Sequence, residues 1–158
     1  MVFEQSPFNA GWWSFKKNAA CVRYEVAVNI QNGWIVWING PFPAGLYSDC
    51  RITVERGLLD NLQPGKKIIV DRGYPGHNDV FVRPGGPNAL YAQMKRDSRA
   101  RHETINRLFK EWSILNNHFQ YPVEQHRMVF GAISNIVQLC IEQGAQRPFM
   151  VYYDDTLF

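Results

Sequence analysis

The chain has 158 residues, of which 46% are hydrophobic and 20% charged, and its net charge is +3. That length suits one domain, residues 1–158, and lets roughly 70% of the unfolded surface be buried. Plentiful aromatics and the lack of any long charge block exclude a disordered chain, and +3 is too weak to argue nucleic-acid binding by itself.

Residues 1–20 read as irregular, with Pro7, Gly11 and the pair Trp12-Trp13. Cys21, Cys50 and Cys140 are widely spaced, with no CxxC or Cys/His ligand pattern. This argues against zinc and fits a reducing compartment. There is no 18-residue apolar run, and the start, Met1-Val-Phe-Glu-Gln-Ser-Pro-Phe8, has no basic n-region. A soluble intracellular protein without a membrane partner is expected.

The clearest local signal follows. Tyr24, Val26, Val28 and Ile30 alternate with Glu25, Ala27, Asn29 and Gln31, then come Asn32-Gly33 and Trp34-Ile-Val-Trp-Ile-Asn39. Two such runs joined by Asn-Gly predict a hairpin with a two-residue turn. The turn then sets the register: Gln31 faces Trp34, Ile30 faces Ile35, and Val28 faces Trp37. The second run is apolar on both faces, which predicts a strand inside a sheet. Residues 40–45 read as a loop. Ser48 or Asp49 can cap a helix reaching about residue 62, where Pro64-Gly65 stops it.

Residues 67–70 predict a buried strand that ends at Asp71, ahead of the turn Gly73-Tyr-Pro-Gly76. A carboxylate at the carboxyl end of a strand lies where open α/β sheets place their ligand sites. The plainer reading of Asp71 is a turn-former before Arg-Gly. Residues 79–83 predict a second short strand, ended by 84–87. A long helix is expected over about 90–115, with a break near Asp97-Ser98; Ile105, Leu108, Phe109 and Trp112 form its apolar stripe. Glu103 lies off that stripe, on a face with Arg99, Asn106, Arg107 and Lys110. From the residues alone it reads first as one more solvated carboxylate pairing with Arg99 or Arg107 at i±4, with a metal ligand as the alternative.

Lys95, Arg96, Arg99, Arg101, Arg107 and Lys110 crowd into this segment. Such a cluster can meet phosphates or simply coat a solvated helix. A last helix is expected over about 122–143, with Val129, Phe130, Ile133, Ile136, Val137, Cys140 and Ile141 as its stripe and Gly144 as its stop. Residues 149–153 predict a strand. His77, His118 and His126 show no triad or metal spacing, and His102 reads as a surface residue. Gly73, Gly76, Gly85 and Gly86 make neither GxGxxG nor a P-loop. The order of hairpin, helix, strand, short strand and helices predicts an α/β fold, a mixed sheet covered by helices, with the helix before Asp71 serving as a parallel crossover.

Three stretches together, Trp34 to Asp49, Ile69-Val-Asp-Arg-Gly-Tyr-Pro-Gly76 and Arg99-Ala-Arg-His-Glu-Thr-Ile-Asn-Arg107, resemble the nuclease domain of PIF/Harbinger-type DDE transposases. The resemblance implies an RNase H-like mixed sheet flanked by helices. It also implies two divalent cations, Mg²⁺ or Mn²⁺, held by an Asp-Asp-Glu triad for DNA phosphodiester cleavage and strand transfer. Asp71 matches the second aspartate of the triad and Glu103 its glutamate, so both are catalytic and metal-ligating candidates. Asp49 matches an auxiliary acidic position. Arg99, Arg107 and Lys110 are the DNA-contact candidates. The family's first aspartate lies in an Asp-Gly-Thr type motif that falls just before Met1, so the first strand is expected to be missing and the chain is expected to be a poor nuclease. Glu4 matches a downstream glutamate and not the triad. The resemblance further implies DNA, and a helix-turn-helix or Myb-like DNA-binding protein, as partners in the nucleus. The rival reading is a non-catalytic remnant that binds DNA or a protein.

Overall fold

The structure is a computed structural model, and it describes residues 1–3, 5, 7–83 and 89–144. Two short strands, β1 (Trp13–Ser14) and β2 (Ala19–Ala20), follow a single 3-10 turn at Ala10–Trp12. The main hairpin is β3 (Val22–Val28) with β4 (Ile35–Pro43), and α1 (Asp49–Glu55) comes next. Then β5 (Ile68–Ile69) pairs in parallel with β6 (Phe81–Val82). Three helices complete the chain: α2 (Ala89–Lys110), α3 (Ser113–Asn116) and α4 (Val123–Glu142). The result is a mixed α/β fold built from small two-stranded sheets.

The hairpin forms, but not in the expected register. Val28 faces Ile35 and Ala27 faces Trp37, so Val36 is an extra residue opposite their junction. The connection is the six-residue stretch from Asn29 to Trp34, not the Asn32-Gly33 pair alone. Local side-chain chemistry explains the difference. Asn29 Oδ1 accepts from the Gln31 amide at 2.8 Å, and Gly33 N donates to Asn29 O. The turn therefore starts at Asn29, because Asn captures backbone donors two residues ahead. The Ile35 amide in turn donates to Gln138 Oε1 of α4 at 2.8 Å. Gly33 does take the positive φ that an Asn-Gly turn requires, at +77°.

Residues 40–43 are strand rather than loop. Glu25 faces Asn39 and Arg23 faces Phe42, so Tyr24 opposes both Gly40 and Pro41. Proline has no amide to offer a ladder, and a bulge is where a strand tolerates it. The expectation that the second run lies inside a sheet is also corrected. Among the described residues β4 pairs with β3 alone, and Val36 and Ile38 remain exposed on its outer face. Likewise β5 pairs with β6 and with no strand of the hairpin, so α1 is not followed by a crossover into the hairpin's sheet.

Helix α1 begins as expected, with Ser48 Oγ accepting from Arg51 N. It ends at Glu55 instead of near 62, because Gly57 turns the chain into the left-handed region at φ +100°. Helix α2 runs unbroken through Asp97-Ser98. The Ser98 hydroxyl donates to Lys95 O inside the helix, so its side chain is satisfied without interrupting it. The break falls instead at Glu111 and Trp112, between the end of α2 and the start of α3. Helix α4 matches its expected span, and Gly144 follows it at φ +80°. The expected stop at 84–87, the expected strand at 149–153 and Glu4 lie outside the described residues.

The larger core forms where these helices meet the hairpin. Ile105, Leu108 and Phe109 of α2, Leu115 of α3, and Phe130, Ile133, Val137 and Ile141 of α4 bury one another. Tyr24, Val26, Val28 and Ile35 pack against them. The alternating face of the first run is therefore the core face, as its pattern predicts. A second cluster gathers Phe3, Ala20, Val22 and Phe119. Arg101, one of the six clustered basic residues, is also buried; its guanidinium donates to Gln31 O at 3.2 Å and ties α2 to the hairpin loop.

Gly45 shows how closely the early loops pack. A Cβ placed there would lie 2.4 Å from Ala10 O, 2.8 Å from Gly11 O and 2.9 Å from Trp13 O. Backbone carbonyls cannot step aside as a flexible side chain does. Gly45→Ala is expected to cost about 1–3 kcal/mol through overpacking. In thermal unfolding that appears as a fall of roughly 2–4 °C per kcal/mol for a chain of this size. An unchanged midpoint would show that the loop from Ala10 to Trp13 yields freely.

Candidate functional site

Asp71 sits just beyond β5, at the carboxyl end of that strand, and is exposed. Its Oδ1 accepts from the Arg72 amide at 2.9 Å, and its carbonyl accepts from Tyr74 N at 3.2 Å. The turn reading and the ligand reading of Asp71 are therefore compatible: one carboxylate oxygen shapes the turn, and the residue is exposed.

The turn is held from two sides. Arg83, directly after β6, donates through Nε to Tyr74 O at 2.6 Å and through Nη1 to Asn78 Oδ1 at 2.7 Å. Its second terminal nitrogen donates to Gly76 O. The Tyr74 ring meets Phe81 edge to face at 6.0 Å. Its phenol is pushed up to about 12, by burial first and by the neighbouring Asp49 carboxylate second, with the Thr53 hydroxyl, Cys50 and Glu25 also close enough to act.

That neighbourhood is a network on β3, β4 and α1. Glu25 accepts from Trp37 Nε1 at 2.8 Å and from the Thr53 hydroxyl at 2.6 Å. Asp49 is the first residue of α1, and Ser48 rather than Asp49 makes the cap. The Asp49 carboxylate pairs instead with Arg23 of β3 at 2.6 Å. Both residues are substantially exposed, so the pair adds little stability; it does hold the start of α1 against the hairpin.

Glu103 is exposed near the middle of α2. Arg96, Arg99, Asn106, Arg107 and Lys110 are exposed with it, and their spacing puts them along one side of the helix. The solvated-carboxylate reading predicts ion pairs with Arg99 or Arg107, yet the structure gives Glu103 neither. The carboxylate lies open within a basic stripe. The His102 ring nitrogen Nδ1 and Asn106 Nδ2 lie 3.2 Å apart, which fits the surface role expected of His102.

Exposed carboxylates are the right kind of donor for Mg²⁺ or Mn²⁺, hard ions that take oxygen ligands and keep several waters. Their number is smaller than a triad. Among the described residues, no three His, Cys, Asp or Glu side chains gather into a group able to hold an ion. The fit is therefore one of donor type alone, and no contact in the structure joins Asp71 to Glu103.

Sequence reasoning missed several residues. Arg83 reads in the sequence as an ordinary strand-end arginine, and Tyr74 as a turn residue. Glu25 looks like one polar member of an alternating strand. His126 is fully buried on α4, sharing a 2.9 Å hydrogen bond between Nδ1 and the Tyr24 hydroxyl. A signal for His126 was present: extending the stripe of Phe130, Ile133, Val137 and Ile141 one turn back lands on it.

No curated protein and no solved structure matches the chain. No helix among the described residues is long and apolar enough to cross a membrane. The sequence does match a family over residues 2–141, which takes in the hairpin, Asp49, Asp71 and the whole of α2 with Glu103. This chain belongs to the DDE superfamily endonucleases.

Proposed function

We propose that the chain is a single PIF/Harbinger-type, transposase-derived domain of RNase H-like descent, whose role is divalent-metal-dependent cleavage and strand transfer of DNA in the nucleus. The family implies DNA as substrate and a divalent cation, Mg²⁺ or Mn²⁺, as cofactor. The observation that carries the reading is the pairing of motif and place. Asp71 lies at a strand end on a built turn, and Glu103 lies open in the basic stripe of α2. Arg99, Arg107 and Lys110 beside Glu103 supply charge for a phosphate backbone. A helix-turn-helix or Myb-like protein would then deliver the target sequence.

In this reading a site of Asp71 and Glu103 alone is a poor nuclease centre. Two carboxylates leave a hard cation mostly hydrated, and a two-metal mechanism needs both ions set about 3.5–4 Å apart. A 1 Å misplacement of reacting groups can cost about 10²-fold in rate. A second reading, a non-catalytic remnant that binds DNA or a protein through α2, is favoured by the lack of any gathered three-donor group among the described residues.

One experiment separates the two. Purified chain is incubated with supercoiled plasmid and Mn²⁺, beside a form carrying an added upstream Asp-Gly-Thr segment. The expected result is nicking by the extended form only, lost in Asp71→Ala and in Glu103→Ala. Binding without nicking in both forms, weakened by Arg99→Ala and Arg107→Ala, selects the remnant. Robust nicking by the 158-residue chain, lost on Asp71→Ala, overturns the inactivity and makes Asp49 and Glu4 the first carboxylates to test. Neither nicking nor binding overturns both readings.

A further inference from the structure

We propose that Arg83 is a positioning residue that fixes the direction of the Asp71 carboxylate by clamping the loop between β5 and β6. The inference rests on the reading of Asp71 as a metal ligand, and it names what would keep that ligand in place.

Asp71 needs such a device. The strand before it is only two residues long and pairs with β6 alone among the described residues. An exposed residue at the end of so short a ladder belongs to the low-stability part of a fold. Yet the loop that follows is closely determined. Tyr74 N closes the first turn on Asp71 O. Gly76 and His77 then both take left-handed backbone, at φ +70° and +48°. Glycine adopts this freely, but histidine does so at a cost, and it stays there only where the surroundings hold it.

Arg83 supplies the hold. Its Nε and its two terminal nitrogens reach Tyr74 O, Asn78 Oδ1 and Gly76 O, three acceptors spread across the turn. A guanidinium carries its donors on three separate nitrogens in a fixed plane and can span three acceptors spread across a turn; the three donors of an ammonium all radiate from one nitrogen and do not reproduce that span. The residue has no carboxylate partner among the described residues, so its bonds serve the loop and not a surface ion pair. It also sits at the right place in the ladder. Val70 N donates to Val82 O at 2.9 Å, so Arg83 and Asp71 each follow directly on the two residues of that bond. The guanidinium carbon lies 5.5 Å from the centre of the buried Phe81 ring. Losing a group bonded directly to a metal ligand typically weakens metal binding about 10–100-fold; Arg83 acts one link further out, through Tyr74, whose amide closes the turn on Asp71 O.

The test compares the wild-type chain with Arg83→Lys, which keeps the charge and removes the fork. Nuclear magnetic resonance reads three quantities: Asp71 χ1 populations from scalar couplings, amide exchange at Tyr74 and Val80, and Mn²⁺-induced broadening at Asp71. Wild type is expected to hold one Asp71 rotamer. Arg83→Lys is expected to average it, to speed exchange at both amides by about tenfold, and to weaken Mn²⁺ broadening by about tenfold. The thermal midpoint and the exchange of α4 should stay put. Unchanged Asp71 rotamers in Arg83→Lys overturn the inference, whatever the metal does. Faster exchange with an intact Mn²⁺ response also overturns it, since the clamp would then hold the loop and not the ligand. If wild type shows no Mn²⁺ effect at Asp71 while the rotamer still depends on Arg83, the metal reading fails and the positioning role stands. Should Arg83→Lys not fold, Asn78→Ala removes one acceptor and is expected to shift the same three quantities less, in the same sense.

Discussion

Phe130→Ala is expected to lower the stability of the chain by about 3–5 kcal/mol, the range for deleting a buried aromatic. Phe130 is 3% exposed and stands at the centre of the larger core. One face stacks on Tyr24 of β3, with ring centres 3.8 Å apart, and another on Phe109 of α2 at 4.9 Å. A single side chain thus joins the hairpin, the helix that carries Glu103, and α4. Truncation removes its transfer free energy, leaves a cavity, and strips both neighbours of their stacking partner. Native domains hold only about 5–15 kcal/mol in total, so the variant is expected to be partly unfolded at 37 °C. Met128→Ala on the same helix is the control, because Met128 is 71% exposed; it should shift stability by no more than about 0.5 kcal/mol. Urea unfolding checks both, with the midpoint moving and the slope unchanged. Equal small losses in the two variants would show that the two stripes of α4 are not distinguished by the core.

The contrast between Phe130 and Met128 also marks what the sequence makes legible. Periodicity placed Ile105, Leu108, Phe109 and Trp112 on one face of α2, and Val129, Phe130, Ile133, Ile136, Val137, Cys140 and Ile141 on one face of α4; Ile105, Leu108, Phe109, Phe130, Ile133, Val137 and Ile141 are buried together, Trp112 and Val129 pack against them, and Ile136 is exposed instead. Alternation placed Tyr24, Val26 and Val28 on the core face of β3. These signals are readable because a fixed repeat repeats the same information many times. The register of the hairpin was not readable from Asn32-Gly33, since Asn29 competes for the same turn with its own side chain three residues earlier. The end of α1 was hidden for a similar reason: one glycine in the left-handed region outweighs the later Pro64-Gly65. For the candidate site, the sequence supplied Asp71, Glu103 and the basic neighbours of α2, because residue type and motif order carry that information. It did not supply Arg83, whose role depends on three acceptors brought together by the loop. Nor did it supply the network of Glu25, Trp37 and Thr53, which joins three successive elements through side-chain contacts that no periodicity encodes.

The second large effect is a loss of stability in mild acid, carried by His126. Its side chain has no exposure. Nδ1 shares its bond with the Tyr24 hydroxyl, the rings of Phe119 and Tyr24 lie 4.5 Å and 5.4 Å from the imidazole, and Nε2 has no hydrogen-bond partner among the described residues. Charging the imidazole would place an unpaired cationic N–H in an apolar interior, and burial lowers its pKa from 6.5 to about 4. The Met1 amino group adds a smaller push in the same direction. Above pH 6.5 both the folded and unfolded chains keep this histidine neutral, and its titration contributes nothing. Between 6.5 and about 4 the unfolded chain binds a proton that the folded chain refuses, so stability falls as the pH falls. The loss amounts to about 2 kcal/mol at pH 5 and approaches roughly 3 kcal/mol near pH 4, below which both states are protonated. His126→Gln keeps a donor and an acceptor at the site but does not titrate. Wild type should therefore lose more stability than His126→Gln between pH 7 and pH 4.5, by about 2–3 kcal/mol, when urea midpoints are compared at each pH. The carboxylates titrating in the same range contribute equally to both proteins and cancel in that difference. Parallel stability profiles for the two would mean that water reaches the imidazole, and that α4 opens over Tyr24 more readily than its packing indicates.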